Sequence, residues 1–240
     1  MTDRAAYARA ADEVEKVFGQ PPQLLFNTAG VNAFGPLEKS TYDDFDWLLG
    51  VNLGGVVNGM MTFVPRMIAA GRGGHIVTTS SMGGFFGSAA ASIYSAAKAA
   101  VINLMESYRL ALAQYGIKVS VLCPANIRTN IAEATKLRPA HLGNTGYVIN
   151  DDVIRSLHSI HAHGLDPLVL ARRTKEAMEK DQLYIIPYPE EKEPLTRHFQ
   201  QIVDSVLPMD ADPEGAKQRS DALRNWLKDR QALVSKGKND

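Results

Sequence analysis

Residues 81–98 read SMGGFFGSAAASIYSAAK and contain the three side chains from which the rest of the sequence can be interpreted. Tyr94 and Lys98 are four residues apart, so on a helix they lie on the same face. An ammonium group beside a phenol stabilises the phenolate, which makes the tyrosine a usable base near neutral pH. Ser81 lies thirteen residues before the tyrosine. The segment therefore predicts a site for acid–base chemistry.

The Tyr-x-x-x-Lys spacing alone is weak evidence, because Tyr188 and Lys192 match it as well. That second pair lies in PYPEEKEP, and prolines at these positions do not fit the interior of a regular helix. No serine precedes the second pair by thirteen residues. We therefore expect the site at the first pair alone.

Helical and strand patterns alternate along the chain. Helical patterns cover residues 3–18, 41–70, 92–115 and 167–180, and the apolar runs that predict strands are QLLF, HIVTTS, IKVSVLC and QLYIIPYP. Residues 130–165 have a mixed composition, and we expect them to be irregular. The alternation predicts an α/β fold with a Rossmann-like, doubly wound parallel sheet, which binds its ligands at the carboxyl ends of the strands.

Small and polar residues follow the first three predicted strands. The segment NTAG occupies 27–30, Ser81 follows the second strand, and PANIRT occupies 124–129. Because these strand ends meet at one edge of a parallel sheet, we expect the three segments to form a single site. Glycines inside the helical pattern of 41–70 cost about 1 kcal/mol each relative to alanine, which predicts close packing there against a neighbour or a ligand.

Composition narrows the choice of partners. The 240 residues include 26 basic and 26 acidic side chains, so charge gives no argument for nucleic acid or a membrane surface as a partner. No apolar stretch is long enough to predict a membrane span. The lone Cys123 is expected in the core, and the absence of other cysteines favours a cytoplasmic location. His158, His161 and His163 lack the acidic partners typical of a metal site, so no metal is expected.

Together these landmarks resemble those of the short-chain dehydrogenase/reductase family. More narrowly, TYDDFDWLLGVNLGGVVNGM at 41–60, the insert at 130–165 and the extension at 191–240 are similar to the Cα-dehydrogenases of bacterial lignin breakdown. Those enzymes use NAD to oxidise the benzylic alcohol of aryl-glycerol β-aryl ethers. The resemblance implies that 1–190 form the dehydrogenase domain, that 130–165 form a lid over an aromatic alcohol or ketone, and that 191–240 form a helical extension.

The resemblance also implies roles for individual residues. The catalytic group would be Asn52, Ser81, Tyr94 and Lys98. Together with Tyr94 and Lys98, the cofactor-binding group would be Asn27, Ala29, Gly30, Pro124, Ala125, Ile127 and Thr129. Four residues are candidates to line an aromatic pocket, with core or lid packing as the alternative role: Phe85, Phe86, His141 and Tyr147. The helices at 41–70 and 92–115 would join subunits into a dimer or tetramer, since the second is apolar on almost every side.

One part of the family pattern is absent from these 240 residues. They contain neither the TGxxxGxG turn nor the acidic residue that binds the adenosine ribose. We therefore expect Met1 to correspond to an internal position of the family, with about two βα units, roughly 60 residues, missing before it. NAD, rather than NADP, is inferred from the subgroup. Two alternatives stay open: an inactive fragment of such an enzyme, and a reductase of another bulky alcohol or ketone such as a steroid.

Overall fold

A computed structural model describes residues 1–148, 150–208 and 211–236. The chain divides into two compact units, Met1–Glu191 and Lys192–Asp240. In the first unit, helices and strands alternate as α1 (Arg4–Phe18), β1 (Leu24–Asn27), α2 (Tyr42–Leu49), α3 (Gly55–Ala70), β2 (Gly74–Thr79), α4 (Ser92–Leu112), β3 (Ile117–Leu122), α5 (Asp151–Ala162), α6 (Pro167–Glu179) and β4 (Tyr184–Ile185). The second unit contains α7 (Lys192–Asp204) and α8 (Pro213–Lys236).

All four strands are parallel and follow the sheet order β1-β2-β3-β4. Helices connect each strand to the next, so the predicted Rossmann-like α/β architecture is confirmed. The two central strands form the core, where Val77, Val119 and Val121 are fully buried. The edge strand β1 differs, because Leu24 is 57% exposed and Phe26 is 49% exposed.

The predicted helix at 41–70 is present but interrupted. Thr41 and Asp44 form the expected capping box at its start: each side chain accepts the backbone N–H of the other residue. A π-helical turn, Gly50–Gly54, joins α2 to α3. Such a turn adds one residue to a helix and is frequent at functional sites. Gly71 then ends α3 in the left-handed conformation, with φ of 65°.

The same helical stretch corrects the expectation that nothing in the chain resembles a membrane span. Tyr42–Ala70 has the length and mean hydropathy of a spanning helix. Half of its most apolar window is buried inside the protein, however, and a helix that packs in a core has the same composition. The glycines, asparagines and proline that punctuate this stretch concealed its continuity in the sequence.

The prediction that residues 130–165 are irregular is wrong for part of that segment. Two 3₁₀ segments, Asn130–Leu137 and Ala140–Leu142, are followed by the twelve-residue helix α5. The Asn150 side chain caps α5 by accepting the N–H of Val153 at 3.0 Å. Along the helix, the apolar residues recur at helical spacing: Val153, Ile154, Leu157 and Ile160.

Candidate active site

Ser81 follows the end of β2 and lies at the carboxyl edge of the sheet. Ser81 caps a 3₁₀ turn, Met82–Gly84, by accepting the N–H of Gly83 at 3.1 Å. Its hydroxyl donates to the carbonyl of Pro124, at the end of β3, over 3.4 Å. Ser81 is therefore held between two neighbouring strand ends, as expected from its position in the sequence.

Helix α4 brings Tyr94 and Lys98 to the same edge. The Lys98 ammonium lies 5.5 Å from the centre of the Tyr94 ring. Only 3% of the surface of Lys98 is exposed. Its Nζ donates to the carbonyl of Thr79 at 2.9 Å, and the Ser80 hydroxyl donates to the Lys98 carbonyl at 2.7 Å. The lysine is thus fixed at both its backbone and its charged end.

Burial dominates the electrostatics of this pair. It raises the pKa of the Tyr94 phenol, and a hydrogen bond with Ser81 opposes part of that rise. Burial also lowers the pKa of Lys98 to about 8. The net direction at Tyr94 is therefore set by desolvation of the phenolate, while the Lys98 ammonium donates to the Thr79 carbonyl. A lowering of the Tyr94 pKa by Lys98 stays a prediction.

Asn52 lies in the π-helical turn and is completely buried. Its Oδ1 accepts the N–H of Val31 at 3.1 Å, and its Nδ2 donates to the carbonyls of Val31 at 2.9 Å and Leu48 at 2.8 Å. A Cβ at Gly30 would lie 2.9 Å from Asn52 Oδ1 and 3.5 Å from Lys98 Nζ. Asn52 and Lys98 therefore approach each other on either side of Gly30, where a larger residue does not fit.

Asn27, at the end of β1, has a role within the fold. Its Nδ2 donates to the Thr78 hydroxyl on β2 at 3.2 Å. A Cβ at Gly59 of α3 would come within 2.4 Å of Asn27 Oδ1, so only glycine permits this approach. The close packing predicted for the helical glycines is thus confirmed at Gly59, and the neighbour is a side chain of β1.

A cleft of about 680 Å³ opens at the carboxyl edge of the sheet. Of the residues with expected catalytic or cofactor roles, it is lined by Gly30, Ser81, Tyr94, Lys98, Pro124, Ala125, Ile127 and Thr129. Asn27, Ala29 and Asn52 are not among the described residues that line it. Asn27 and Asn52 support the strand ends from behind, as their hydrogen bonds show.

The candidates for an aromatic pocket lie elsewhere. Tyr147 packs in the core with Trp47, Leu48 and Ile93. The ring of Phe85 lies 6.4 Å from that of Tyr184, and His141 is exposed in a 3₁₀ turn. None of Phe85, Phe86, His141 and Tyr147 is among the described residues that line the cleft.

Other residues, which were not predicted from the sequence, line the cleft in place of these four. They come from the loop after β1, the 3₁₀ segment Asn130–Leu137 and α5: Asn32, Phe34, Ile131, Leu137, Leu157, Ile160 and His161. The helical spacing of Leu157, Ile160 and His161 was visible in the sequence. The glycines, prolines and several histidines of the surrounding segment obscure this spacing.

No cluster of three or more metal-ligating side chains occurs in the described parts of the chain. His158 does have one acidic neighbour, since its Nε2 lies 3.3 Å from Glu133 Oε1. Cys123 is buried as expected, and burial raises the pKa of its thiol to about 12. The groups expected to be catalytic that line the cleft are Ser81, Tyr94 and Lys98.

Comparison with known proteins agrees with this geometry. Residues 1–139 match the protein family described as short chain dehydrogenase. The chain belongs to that family. A "C alpha-dehydrogenase" from Sphingobium sp. (strain NBRC 103272 / SYK-6) is 66% identical over 237 residues, which are 99% of this chain and 78% of the relative.

Two solved structures of the family resemble the fold closely. The apo form of LigD from Sphingobium sp. strain SYK-6 has a TM-score of 0.71 and 58% identity, with 87% of this chain and 74% of the other covered. A short-chain dehydrogenase/reductase from Burkholderia phymatum, solved in complex with NAD, has a TM-score of 0.79 and 32% identity, with 86% and 75% covered. As a short-chain dehydrogenase, this chain is an oxidoreductase of the class that uses NAD or NADP.

Two features of the cleft fit a polar ligand such as this cofactor. The Thr28–Gly30 segment is exposed at the end of β1, which leaves its backbone accessible to a ligand. Thr79 lines the cleft, and its buried Oγ1 has no hydrogen-bond partner among the described residues. A buried hydroxyl of this kind is costly unless a partner is supplied, and a polar ligand in the cleft would supply one.

Proposed function

We propose that this protein oxidises the benzylic secondary alcohol of an aryl-glycerol β-aryl ether to the ketone, with NAD as the hydride acceptor. The observation that carries the proposal is the meeting of Ser81, Tyr94 and Lys98 in one cleft at the ends of parallel strands. The 66% identity to a C alpha-dehydrogenase favours this substrate over a steroid or another bulky alcohol. Turnover by the 240-residue chain, tested below, distinguishes this proposal from an inactive fragment, because the chain spans 78% of that relative.

In this proposal Tyr94 is the general base. Its phenolate oxygen takes the proton of the substrate hydroxyl, while the hydroxyl of Ser81 donates a hydrogen bond to the same substrate oxygen and stabilises its developing charge. When bound, the nicotinamide ring accepts the hydride that leaves the carbinol carbon. Burial raises the pKa of Tyr94 and so disfavours the phenolate. In this proposal the positive charges of the oxidised ring and of Lys98 offset that effect.

The cofactor would lie along the strand ends. The small residues Ala29 and Gly30 would allow the cofactor to lie against the backbone. The nicotinamide amide would be held by Pro124, Ala125, Ile127 and Thr129. Lys98 would bind the nicotinamide ribose, and Asn27 and Asn52 would support this wall from behind. Asn52 and Lys98 flank Gly30, which supports a shared proton path there through a bound water.

We also propose a homo-oligomer, a dimer or tetramer formed through α2–α3 and α4, in the cytoplasm. Large apolar side chains on these helices face outward, since Met61 is 65% exposed and Leu110 is 81% exposed. Residues 1–190 would form the dehydrogenase domain, 130–165 its substrate lid, and 191–240 a separate helical extension. The single cysteine supports a reducing compartment.

The test measures NADH formation by the 240-residue chain with an aryl-glycerol β-aryl ether. We expect Tyr94→Phe to lower turnover by about 10³-fold or more while cofactor affinity is retained, because the general base is lost and the ring stays in place. Tyr108→Phe is the matched control, since it removes the same hydroxyl from the same helix outside the cleft lining. Near wild-type turnover by Tyr94→Phe, or oxidation of sterols in preference to aryl ethers, would overturn the proposal.

A further inference from the structure

The α5 side of the cleft combines an apolar surface with one polar ring. Leu157 and Ile160 of α5, with Ile131 and Leu137 of the 3₁₀ segment, line the cleft that also contains Tyr94. His161 lies in the same lining. A cleft of about 680 Å³ is within the range of sites that enclose small organic ligands, which are typically apolar with a few placed polar groups.

The hydrogen bond of His161 defines the tautomer of its ring. Nδ1 lies 2.7 Å from the backbone carbonyl of Leu157, one turn earlier in α5. A carbonyl oxygen can only accept, so Nδ1 carries the hydrogen. In the neutral ring Nε2 is then an acceptor, and no other described residue forms a hydrogen bond with it. A hydroxyl group of a molecule in the cleft would be its natural donor.

A second polar group points to a ligand in the same region. Asn32, in the loop after β1, lines the cleft and is only 8% exposed. Its Oδ1 is buried and has no hydrogen-bond partner among the described residues. Leaving such an acceptor without a donor costs about 1–3 kcal/mol. The wall formed by this loop and α5 therefore presents two acceptors to the cleft, Asn32 Oδ1 and His161 Nε2.

We propose that His161 is a specificity-determining residue that accepts a hydrogen bond from a substrate hydroxyl remote from the reacting carbon. This inference rests on the proposed function, because it assigns one further contact to the same substrate. Two hydroxyls of an aryl-glycerol β-aryl ether have the required chemistry: the terminal hydroxymethyl group and a phenolic hydroxyl on a ring. The apolar residues beside His161 would bind the ring itself.

The experiment compares three substrates: the parent compound, an analogue with methyl in place of the hydroxymethyl group, and an analogue with the phenol methylated. We expect His161→Phe to lower kcat/KM for the parent about tenfold, mainly through KM. On the analogue that lacks the bound hydroxyl, the variant and the wild type should differ little. Whichever analogue shows that loss of sensitivity identifies the hydroxyl.

Two further variants separate recognition from structure. His161→Gln keeps an acceptor and should recover most of the lost kcat/KM. His163→Phe is the matched control, because His163 also bonds a carbonyl of α5, that of Ser159 at 3.2 Å, and is not among the described residues that line the cleft. An equal effect of His161→Phe on all three substrates, or none, would overturn the inference alone. A wild-type chain that oxidises none of them would overturn the proposed function itself.

Discussion

The two sides of the cleft are held in place by different means. On the hydride-transfer side, Asn52, Ser80 and Lys98 are almost completely buried, and each is hydrogen-bonded to backbone groups. On the opposite side, α5 has no fully buried residue. Its neighbouring segment is tied to it by a half-exposed pair, His158 and Glu133. Proton and hydride transfer require fixed geometry, whereas a surface that receives the variable part of a substrate can remain adaptable.

The largest expected effect on stability is at Asn52. Asn52→Ala removes three buried hydrogen bonds, two of them to the N–H and carbonyl of Val31 and one to the carbonyl of Leu48. We expect the free energy of unfolding to fall by about 2–4 kcal/mol, as measured by urea denaturation. Asn58→Ala is the control, because Asn58 makes one such bond, from Nδ2 to the Met1 carbonyl at 2.9 Å. Equal effects of the two substitutions would contradict the view that the hydrogen bonds of Asn52 hold the hydride-transfer side in place.

Burial of the Lys98 ammonium on the hydride-transfer side should reduce the folding stability of the protein. Its pKa is about 8 in the folded protein and 10.5 when free, so below pH 8 it is charged in both the folded and the unfolded states. Its buried charge destabilises the fold throughout that range, and the contribution of Lys98 to stability rises with pH between 8 and 10.5, where this group binds more protons in the unfolded state.

Lys98→Met should therefore raise the free energy of unfolding at neutral pH by about 1–3 kcal/mol and remove that dependence on pH. Denaturant titrations on both sides of pH 8 measure both quantities. Lys118→Met, on the exposed side of β3, provides the control and should change neither. A loss of stability in Lys98→Met would mean that the bond to the Thr79 carbonyl outweighs the cost of burial.

The smallest effect is expected on the α5 side. His158→Gln removes a pair whose two side chains are each 44% exposed. Pairs of this exposure contribute little, so the free energy of unfolding should change by no more than about 0.5 kcal/mol. A loss as large as that at Asn52 would show that α5 is as firmly fixed as the hydride-transfer side.

The hydride-transfer side of the cleft could be predicted from the sequence for physical reasons. Parallel strands and their helices have strong periodicity, and the spacing of Ser81, Tyr94 and Lys98 places them at one sheet edge without knowledge of the loops. The capping box at Thr41 and Asp44 is likewise a local signal, confirmed by its hydrogen bonds. Local rules are sufficient where each element forms from its own neighbours.

The structure on the α5 side depends on contacts between residues that are distant in sequence, and local sequence patterns do not predict such contacts. The histidines, glycines and prolines around α5 concealed a helix whose cap, Asn150, lies outside the apolar pattern. The burial of Tyr147 depends on Gly35, where a Cβ would come within 2.2 Å of the tyrosine ring, and these residues are far apart in sequence. The raised pKa of Tyr94 likewise comes from its burial, which composition and spacing do not specify.

The π-helical turn Gly50–Gly54 has a consequence for exchanging segments between related enzymes. Because an α-helix advances about 100° per residue, deletion of the extra residue would rotate all of α3 by that angle. Gly59 would then turn away from Asn27, and a bulkier side chain would meet the end of β1. A chimera with a junction inside 50–59 should therefore take the turn and Gly59 from the same parent. A junction in the exposed turn at Gly71 carries no contact constraint, because a Cβ there would have nothing within 4 Å, but its left-handed φ of 65° requires that glycine be kept.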